Sequence, residues 1–178
     1  MEKLYFLTGN SNKVREAQEI LGIEIEQVAI DLDEPQTVEV ESVIDYKARQ
    51  AYSKLQHPVI VEDTGLSLNA WNGLPGALIK WFLERIGNEG LIKMLQPFDD
   101  RSAKAVTIVG FFDGSRLVVA RGEVSGTIST EVLGENGFGW DKIFIPEGYN
   151  RTFAQMDKEE KNLISMRRRA FDQLKQLL

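Results

Sequence analysis

An Asp113-Gly114 pair between two strand-like segments constrains the fold of this chain more than any other feature. The flanking segments, 103–112 and 117–120, are rich in β-branched and aromatic residues, which favours strands. An Asp-Gly pair in such a setting is a strong short-range signal for a β-hairpin, and a hairpin joins antiparallel strands. The sequence therefore predicts a sheet that contains at least one antiparallel pair.

The rest of the chain mixes short apolar runs with amphipathic helical stretches. Further strands are predicted at 4–8, 23–30, 59–61, 124–129 and 143–145. Helices are predicted at about 13–21 and 39–55, after the turn at 73–76, and from 157 to the C-terminus. Helices and strands that mix in this way, together with a hairpin, predict an α/β fold around a mixed sheet. The length of 178 residues fits one domain, which we expect to span 1–178.

Composition excludes several kinds of site and partner. The chain has no cysteine, which excludes disulfides, thiolate zinc sites and a cysteine nucleophile. Its one histidine, His57, precedes a proline in a predicted loop and is interpreted as a solvated loop residue. The net charge of −6 argues against a nucleic-acid partner, because duplex affinity comes mainly from neutralised phosphates. No signal peptide or membrane span is recognised, so we expect a cytoplasmic protein without a membrane partner.

The first candidate site is the segment Thr8-Gly9-Asn10-Ser11-Asn12-Lys13, between a predicted strand and a predicted helix. A helix N-terminus offers free N–H groups and a positive dipole end, which suit phosphate. Gly9 would let a ligand approach the backbone closely, and Lys13 adds a charge. The segment lacks the spacing of a Walker A loop. A turn with an Asn or Ser helix cap is the alternative interpretation.

Carboxylates form the second candidate site. Glu34 lies in an acidic loop, and Glu62 and Asp63 follow the predicted strand 59–61. Because side chains alternate along a strand, we expect Glu62 and Asp63 on opposite faces, with only one of them in a site. Without cysteine or a usable histidine, a bound metal would need oxygen ligands, which suits magnesium held by carboxylates and substrate phosphates. Two solvated acidic turns are the alternative.

Two cations fall on apolar helix faces. Lys47 lies three or four positions from apolar residues of helix 39–55, and Arg167 does the same in the last helix, so each shares a face with them. A cation on a core-facing surface is costly unless it is paired. Together with Lys13, these two cations suggest a pocket for a polyanion. Snorkelling of the long side chains to the surface is the alternative.

The segment Gly137-Phe138-Gly139-Trp140-Asp141 is the fourth candidate. Aromatic side chains in a glycine-rich loop can stack on a nucleobase, and Asp141 could accept hydrogen bonds from a base or ribose. An aromatic loop that packs on the core is the alternative.

Taken together, these segments resemble the inosine triphosphatase family of house-cleaning purine nucleoside triphosphate pyrophosphatases. The matching stretches are 8–13, 61–66, 73–76 with 79–82, 137–141, 153–156 and 159–162. Each stretch is weak alone, and their order and spacing along nearly the whole chain carry the resemblance. The resemblance implies a two-lobed α/β fold with a long central mixed β-sheet flanked by helices, an active-site cleft between the lobes, and a homodimer.

The resemblance also implies a reaction: Mg²⁺-dependent hydrolysis of non-standard purine nucleoside triphosphates (ITP, dITP, XTP) to the monophosphate and pyrophosphate. Glu34 and Asp63 would bind the metal, and Asp63 would also be the catalytic proton acceptor. The implied substrate-binding residues are Thr8, Gly9, Asn10, Ser11, Asn12, Lys13, Lys47, Asp63, Thr64, Lys80, Phe138, Gly139, Trp140, Asp141, Lys161, Met166 and Arg167. Among them, Phe138 and Trp140 would border the purine, while Lys161 and Arg167 would recognise the base through its 6-oxo group.

One position departs from the family pattern. The last helix reads Ser165-Met166-Arg167, where the family usually has Ser-His-Arg. Methionine can pack on a ring but is a weak acceptor and donates nothing, so this position offers no hydrogen-bond donor to the base and the preference for the 6-oxo over the 6-amino purine stays open. Two other functions stay open at this point: a Maf-like pyrophosphatase of pyrimidine or modified nucleotides, and a nucleotide sensor without turnover.

Overall fold

The computed structural model describes residues 3–178, which form seven β-strands and five α-helices. The strands are β1 (Tyr5–Leu7), β2 (Glu26–Val28), β3 (Val59–Leu68), β4 (Pro75–Gly76), β5 (Ser102–Phe112), β6 (Leu117–Ile128) and β7 (Phe144–Pro146). The helices are α1 (Ser11–Leu21), α2 (Val40–Leu55), α3 (Ile79–Leu95), α4 (Lys158–Ile164) and α5 (Met166–Leu177). Short 3₁₀ turns lie at Asn69–Trp71, Gly139–Lys142 and Phe153–Gln155.

The strands form one mixed sheet in the order β2-β1-β3-β5-β6-β7, with β4 paired to β3. β1 is parallel to both β2 and β3, and every other neighbouring pair is antiparallel. The predicted α/β class and mixed sheet are confirmed. The predicted hairpin is confirmed too, because β5 pairs with β6 from Phe112 opposite Leu117 onwards. Asp113 Oδ1 holds the turn by accepting from the N–H groups of Ser115 at 2.8 Å and Arg116 at 2.7 Å.

Several predicted boundaries are wrong, and the central strands account for most of the difference. β3 continues past residue 61 to Leu68 because it pairs with β5 along its whole length. Its polar segment 62–65 therefore lies inside the strand and not in a turn. The two strands predicted at 117–120 and 124–129 are one strand, β6. By contrast, β2 is limited to Glu26–Val28 within the predicted 23–30.

The last helix is broken, in contrast to the single helix predicted from residue 157. Ser165 has extended φ and ψ angles of −66° and 151°, so it ends α4 and begins α5. Its hydroxyl accepts from Arg168 N at 3.1 Å, which caps the new helix start. The predicted start at Asp157 is correct, since this side chain accepts from Glu160 N at 2.7 Å.

Three apolar clusters divide the molecule. One lies between the sheet and helices α1 and α5 and includes Ile60, and a second lies between the sheet and α2 and includes Val61. The third surrounds α3 and the far ends of β5 and β6, and it includes Leu66; we call this part the α3 lobe and the remainder the sheet lobe. β3 therefore leaves the sheet lobe after Val61 and enters the α3 lobe at Leu66. Its residues 62–65 lie between the two lobes.

Among residues 3–178, no helix is long and apolar enough to span a membrane.

Candidate active site

β3 sends two neighbouring carboxylates to opposite faces of the sheet, as predicted. Glu62 faces Lys13 of α1 and Arg167 of α5, while Asp63 faces Lys47 of α2. The side chain of Glu62 is fully buried, whereas that of Asp63 keeps about a fifth of its surface exposed (19%). Asp63 is therefore the carboxylate of this pair that an incoming ligand can reach.

A cavity of about 650 Å³ opens beside Asp63; we call it the charged cavity. Its lining polar side chains are Thr8, Lys13, Asp31, Asp33, Glu34, Gln36, Lys47, Glu62, Asp63, Thr64 and Lys80. They include three lysines, each from a different helix: Lys13 from α1, Lys47 from α2 and Lys80 from α3. Cations and carboxylates that converge on one cavity suit a ligand that carries both phosphate groups and a bound cation.

Lys47 lies between the two proposed metal ligands. Its Nζ donates to Glu34 Oε1 at 2.7 Å and to the carbonyl oxygen of Glu62 at 3.2 Å, and it is 3.5 Å from Asp63 Oδ1. Only 7% of the residue is exposed, as the apolar face of α2 predicted. Burial tends to raise the pKa of Glu34, but the ammonium of Lys47 outweighs it and holds that pKa below its usual range.

For Asp63 the net shift of the pKa is upward. Removal from water raises the pKa of this carboxyl to about 6, against the opposing charges of Lys47 and Lys13. The negative charges of Glu34 and Glu62 raise the pKa further. A carboxylate with a pKa in this range is ionised at pH 7 and is still basic enough to accept a proton from water.

Arg167 is enclosed by carboxylates, which the sequence did not predict. Its Nε and Nη2 donate to the two oxygens of Glu62 at 2.9 and 3.0 Å, and Nη1 donates to Glu16 Oε2 at 2.8 Å. Three of the five N–H donors of the guanidinium are thereby used. Burial opposes ionisation of Glu62, but Arg167 and then Lys13 lower its pKa to about 2. This buried network fixes Arg167 between α1, β3 and α5.

The loop from Thr8 to Lys13 satisfies much of its own backbone. Asn10 N donates to Thr8 Oγ1, Asn12 N to Asn10 Oδ1, and Lys13 N to Asn10 O. The predicted Asn cap is therefore present, with Asn10 preceding α1. Thr8, Gly9 and Lys13 line the charged cavity, whereas Asn10 and Ser11 do not. The space beside Gly9 is open, since a Cβ there would meet no atom within 4 Å.

A second cavity of about 290 Å³ adjoins the first; we call it the aromatic cavity. Its lining residues are Lys13, Thr64, Ile79, Lys80, Leu83, Glu84, Phe138, Gly139, Trp140, Asp141, Lys161, Met166 and Arg167. Lys13, Thr64 and Lys80 line both cavities. The structure thus joins a charged compartment to an aromatic one, and the predicted site residues divide between them. Asn12 lies apart from both, in a third cavity behind Phe138.

The two aromatic residues of this loop have different environments. Phe138 is 38% exposed, and its ring lies 4.9 Å from Lys161 Nζ and 5.6 Å from Arg167 Cζ. Trp140 is only 6% exposed and packs edge-on against Phe144 at 5.4 Å. Phe138 can therefore present a ring to a ligand, while most of Trp140 belongs to the core.

Asp141 is also turned inward. Its Oδ2 accepts from Phe138 N at 2.8 Å and from Lys161 Nζ at 2.6 Å, and the residue is buried. It therefore orients the loop and the lysine, which leaves Lys161 with further N–H donors for the cavity. Met166, also buried, gives the same cavity a thioether wall.

Sequence reasoning missed Glu16, the second partner of Arg167. A signal was available: Glu16 lies four positions before Ile20 and three after Lys13, so it shares the buried face of α1. The argument that identified Lys47 and Arg167 applies equally to an acidic residue on an apolar face. Asp31, Asp33 and Glu84 also line the cavities and were not singled out.

The oxygen donors of the charged cavity fit a magnesium ion that is shared with a substrate. Within residues 3–178, no group of three or more Asp, Glu, His or Cys side chains is placed to hold a metal by itself. Glu34 and Asp63, however, both reach the same ammonium group of Lys47 and line the same cavity. Magnesium is usually bound by one or two carboxylates, with phosphate oxygens of the substrate and water molecules as its other ligands.

Comparison with known proteins gives matches along the whole chain. The model of the Ham1 family matches residues 4–177. A dITP/XTP pyrophosphatase of Methanopyrus kandleri is 44% identical over 96% of this chain and 93% of its own length. An inosine triphosphate pyrophosphatase of Yarrowia lipolytica is 45% identical over 97% of this chain and 94% of its own. The solved structure of a HAM1 protein from Coxiella burnetii has a TM-score of 0.88 at 29% identity, covering 99% of this chain and 98% of that one.

Proposed function

Because the chain belongs to the Ham1 family, we propose that it hydrolyses non-standard purine nucleoside triphosphates (ITP, dITP and XTP) to the monophosphate and pyrophosphate. Its relatives named dITP/XTP and inosine triphosphate pyrophosphatases support this function. The observation that carries the proposal is the joining of the two cavities at Lys13, Thr64 and Lys80. A nucleoside triphosphate has the same two parts, a polyanion and an aromatic base.

Magnesium is part of the proposal, and Glu34 and Asp63 would hold it. When bound, it supplies positive charge to the phosphate oxygens. Lys47 would then share its two carboxylates with the metal and turn towards phosphate oxygens. The donor set of the cavity supports this choice, because it offers oxygen ligands only.

The residues of the chain have separate roles in the proposed reaction. Asp63, the carboxylate of β3 that a ligand can reach, accepts a proton from the attacking water. The oxygen of that water forms a bond to the α-phosphorus, and the bond from that phosphorus to the bridging oxygen breaks. Lys13, Lys47 and Lys80 stabilise the charge that develops on the departing pyrophosphate. Glu62 holds Lys13 in place at 3.1 Å.

The aromatic cavity would bind the base. Phe138 stacks on one face of the purine, and Lys161 donates to the 6-oxo group through an N–H that Asp141 does not use. A lysine prefers an acceptor, such as a 6-oxo group, to the 6-amino donor of adenine. Arg167 lines the same cavity, but with three donors already taken it acts through its charge and its contact with Phe138.

A homodimer and a cytoplasmic location belong to the same proposal. The proposed substrates are free nucleotides, so the proposed activity fits the cytoplasm. The dimer is tested by light scattering after size exclusion, where a chain of 20.1 kDa should elute with twice that mass. Elution at the mass of one chain would contradict it.

The test of function is pyrophosphate release from ITP, XTP, GTP, ATP and dTTP, with magnesium and with EDTA. We expect release from ITP and XTP with magnesium and loss of release with EDTA. Release from all four purine nucleoside triphosphates would still support the proposed hydrolysis, but it would show that the cavity wall at Met166 does not select the base. Release from dTTP alone would favour a pyrimidine enzyme, and tight binding without release would favour a nucleotide sensor.

Asp63→Asn is the matching variant. An amide cannot accept the proton, so turnover should fall by about a hundredfold or more, with the fold retained as judged by circular dichroism. Near-normal turnover would remove Asp63 from the role of proton acceptor. Asp45→Asn is a suitable control, because Asp45 is exposed on helix α2 and, among the described residues, pairs only with Arg49.

A further inference from the structure

Helix α3 contains a break that changes its direction. Gly87 has φ 66° and ψ −172° inside the helix, a conformation essentially restricted to glycine. The helix before the break carries Lys80, which lines both cavities. The residue directly after the break is Asn88. Without the break at Gly87, the side chains of Lys80 and Asn88 would point in other directions relative to each other.

Asn88 holds the loop that carries Phe138. Its Nδ2 donates to the carbonyl oxygen of Gly139 at 3.0 Å, across 51 positions of sequence. Gly139 lies between Phe138 and Trp140 and has a positive φ of 61°. The reverse orientation of the amide would place two oxygens against each other, so the donor must face the loop.

On the side of α3, the other contacts of the loop in residues 3–178 are apolar, since Trp140 belongs to the cluster that surrounds this helix. Phe138 N and Lys161 both bond to Asp141 Oδ2, which fixes the loop from within and from α4. From α3, Leu83 approaches Gly139 by apolar contact only, since its Cδ1 would lie 3.7 Å from a Cβ at that position. The amide of Asn88 therefore supplies the directional contact between this helix and the loop.

We propose that Asn88 is a positioning residue, an inference that rests on the proposed function. It holds the Phe138 ring in place for the base and links the loop of this ring to helix α3, which carries Lys80. No part of Asn88 lines either cavity, so it acts through Gly139 and not on the substrate.

Asn88→Ala has a limited cost in stability, because it removes one hydrogen bond to the backbone, which contributes about 1 kcal/mol. A higher KM measured well below the unfolding midpoint therefore reports the position of the loop and not unfolding of the protein.

The experiment compares wild type, Asn88→Ala and Asn88→Asp, with Glu89→Gln as the control. Glu89 is the next residue and is exposed. KM and kcat are measured with ITP, and inhibition constants with IMP, which has a base, and with inorganic tripolyphosphate, which has none. Hydrogen exchange of the peptide 137–142 is measured without any ligand.

For Asn88→Ala we expect KM for ITP and the inhibition constant of IMP to rise about five- to tenfold, as for the loss of one hydrogen bond. kcat should stay within about twofold, and tripolyphosphate should inhibit as before. Exchange in 137–142 should become faster. Asn88→Asp should have a larger effect, because a carboxylate oxygen then faces the Gly139 carbonyl. Glu89→Gln should behave as wild type.

Unchanged exchange in 137–142 together with an unchanged KM would overturn the proposal. An equal weakening of ITP and tripolyphosphate would also overturn it, since that result means that the whole of α3 has moved. If wild type releases no pyrophosphate from ITP, the proposed function fails by itself. The exchange measurement, which needs no ligand, then still decides whether Asn88 holds the loop.

Discussion

Two neighbouring carboxylates of β3 differ more in their surroundings than in their chemistry. Glu62 is fully buried against two cations, and its pKa falls to about 2, whereas Asp63 is buried with weaker compensation and its pKa rises to about 6. Groups whose environments separate their pKa values tend to take different roles. Here the strongly paired Glu62 organises Lys13 and Arg167, and Asp63 remains free to exchange a proton.

Glu62→Gln should destabilise the protein by about 3 kcal/mol, since Arg167 then keeps only the carboxylate of Glu16 and Lys13 loses its partner. Urea unfolding at pH 7 measures this. Asp45→Asn, which breaks an exposed pair with Arg49, is the control and should cost no more than about 0.5 kcal/mol. Equal effects of the two substitutions would contradict the view that burial makes the Glu62 network special.

The same residue predicts a dependence of stability on pH. The pKa of Glu62 in the folded state, about 2, lies below its ordinary value of 4.5, so ionised Glu62 stabilises the fold above about pH 4.5. That stabilisation is lost as pH falls from 4.5 towards 2. The difference in unfolding free energy between wild type and Glu62→Gln should therefore shrink over this range. A constant difference between pH 5 and pH 3 would contradict a lowered pKa of Glu62 in the folded protein.

At the residue scale, the sequence predicted which cations point inward but not what they contact. Lys47 and Arg167 were identified because each lies among apolar residues at helical spacing. The spacing along one helix cannot identify partners on other elements, such as Glu62 on β3 or Glu16 on α1. The inward turn of Asp141 escaped prediction for the same reason, because its partner Lys161 lies 20 positions away.

At the scale of secondary-structure elements, one glycine of β6 determines how closely helix α5 approaches the sheet. A Cβ on Gly122 of β6 would lie 1.9 Å from the backbone oxygen of Met166 and 2.5 Å from Ala170 N. These are backbone atoms, so a change of side-chain rotamer could not relieve the overlap. α5 can carry Met166 and Arg167 to the site only because β6 has no side chain at this position.

Gly122→Ala should therefore destabilise the protein by about 3 kcal/mol or more, comparable to severe overpacking of a core. It should also weaken binding of IMP, because α5 must shift. Urea unfolding and calorimetry measure the two effects. Gly9→Ala is the control for stability, since its Cβ would meet nothing within 4 Å. A Gly122→Ala protein as stable as wild type would mean that α5 can move away without cost.

Element types were more predictable than their limits. The hairpin at Asp113 and the apolar face of α2 are local signals, and both were correct. The extension of β3 through Glu62 and Asp63 depends on pairing with Val109 and Ile108 of β5, which lie 47 and 45 positions further along the chain. The break at Ser165 depends on a single hydroxyl that caps α5. Neither is visible in the hydrophobic pattern.

At the scale of the whole molecule, the two joined cavities draw on both lobes. The sheet lobe supplies Lys13 and Lys47, the part of β3 between the lobes supplies Asp63, and the α3 lobe supplies Lys80 and the Phe138 loop. A ligand that fills both cavities should therefore bind the two lobes in one arrangement, whereas tripolyphosphate or inosine alone would fill one cavity each.

This geometry predicts how ligands stabilise the fold. With magnesium, a non-hydrolysable α,β-methylene analogue of ITP at one hundred times its Kd should add about 2.7 kcal/mol to the free energy of unfolding. Its Kd should be far lower than that of tripolyphosphate or inosine, because one molecule gains the contacts of both cavities. Titration calorimetry and urea unfolding provide the measurements, with Phe138→Ala as the matched variant. If the analogue binds no more tightly than tripolyphosphate, or if Phe138→Ala weakens both equally, then the aromatic cavity does not receive the base and the two lobes are not joined by the substrate.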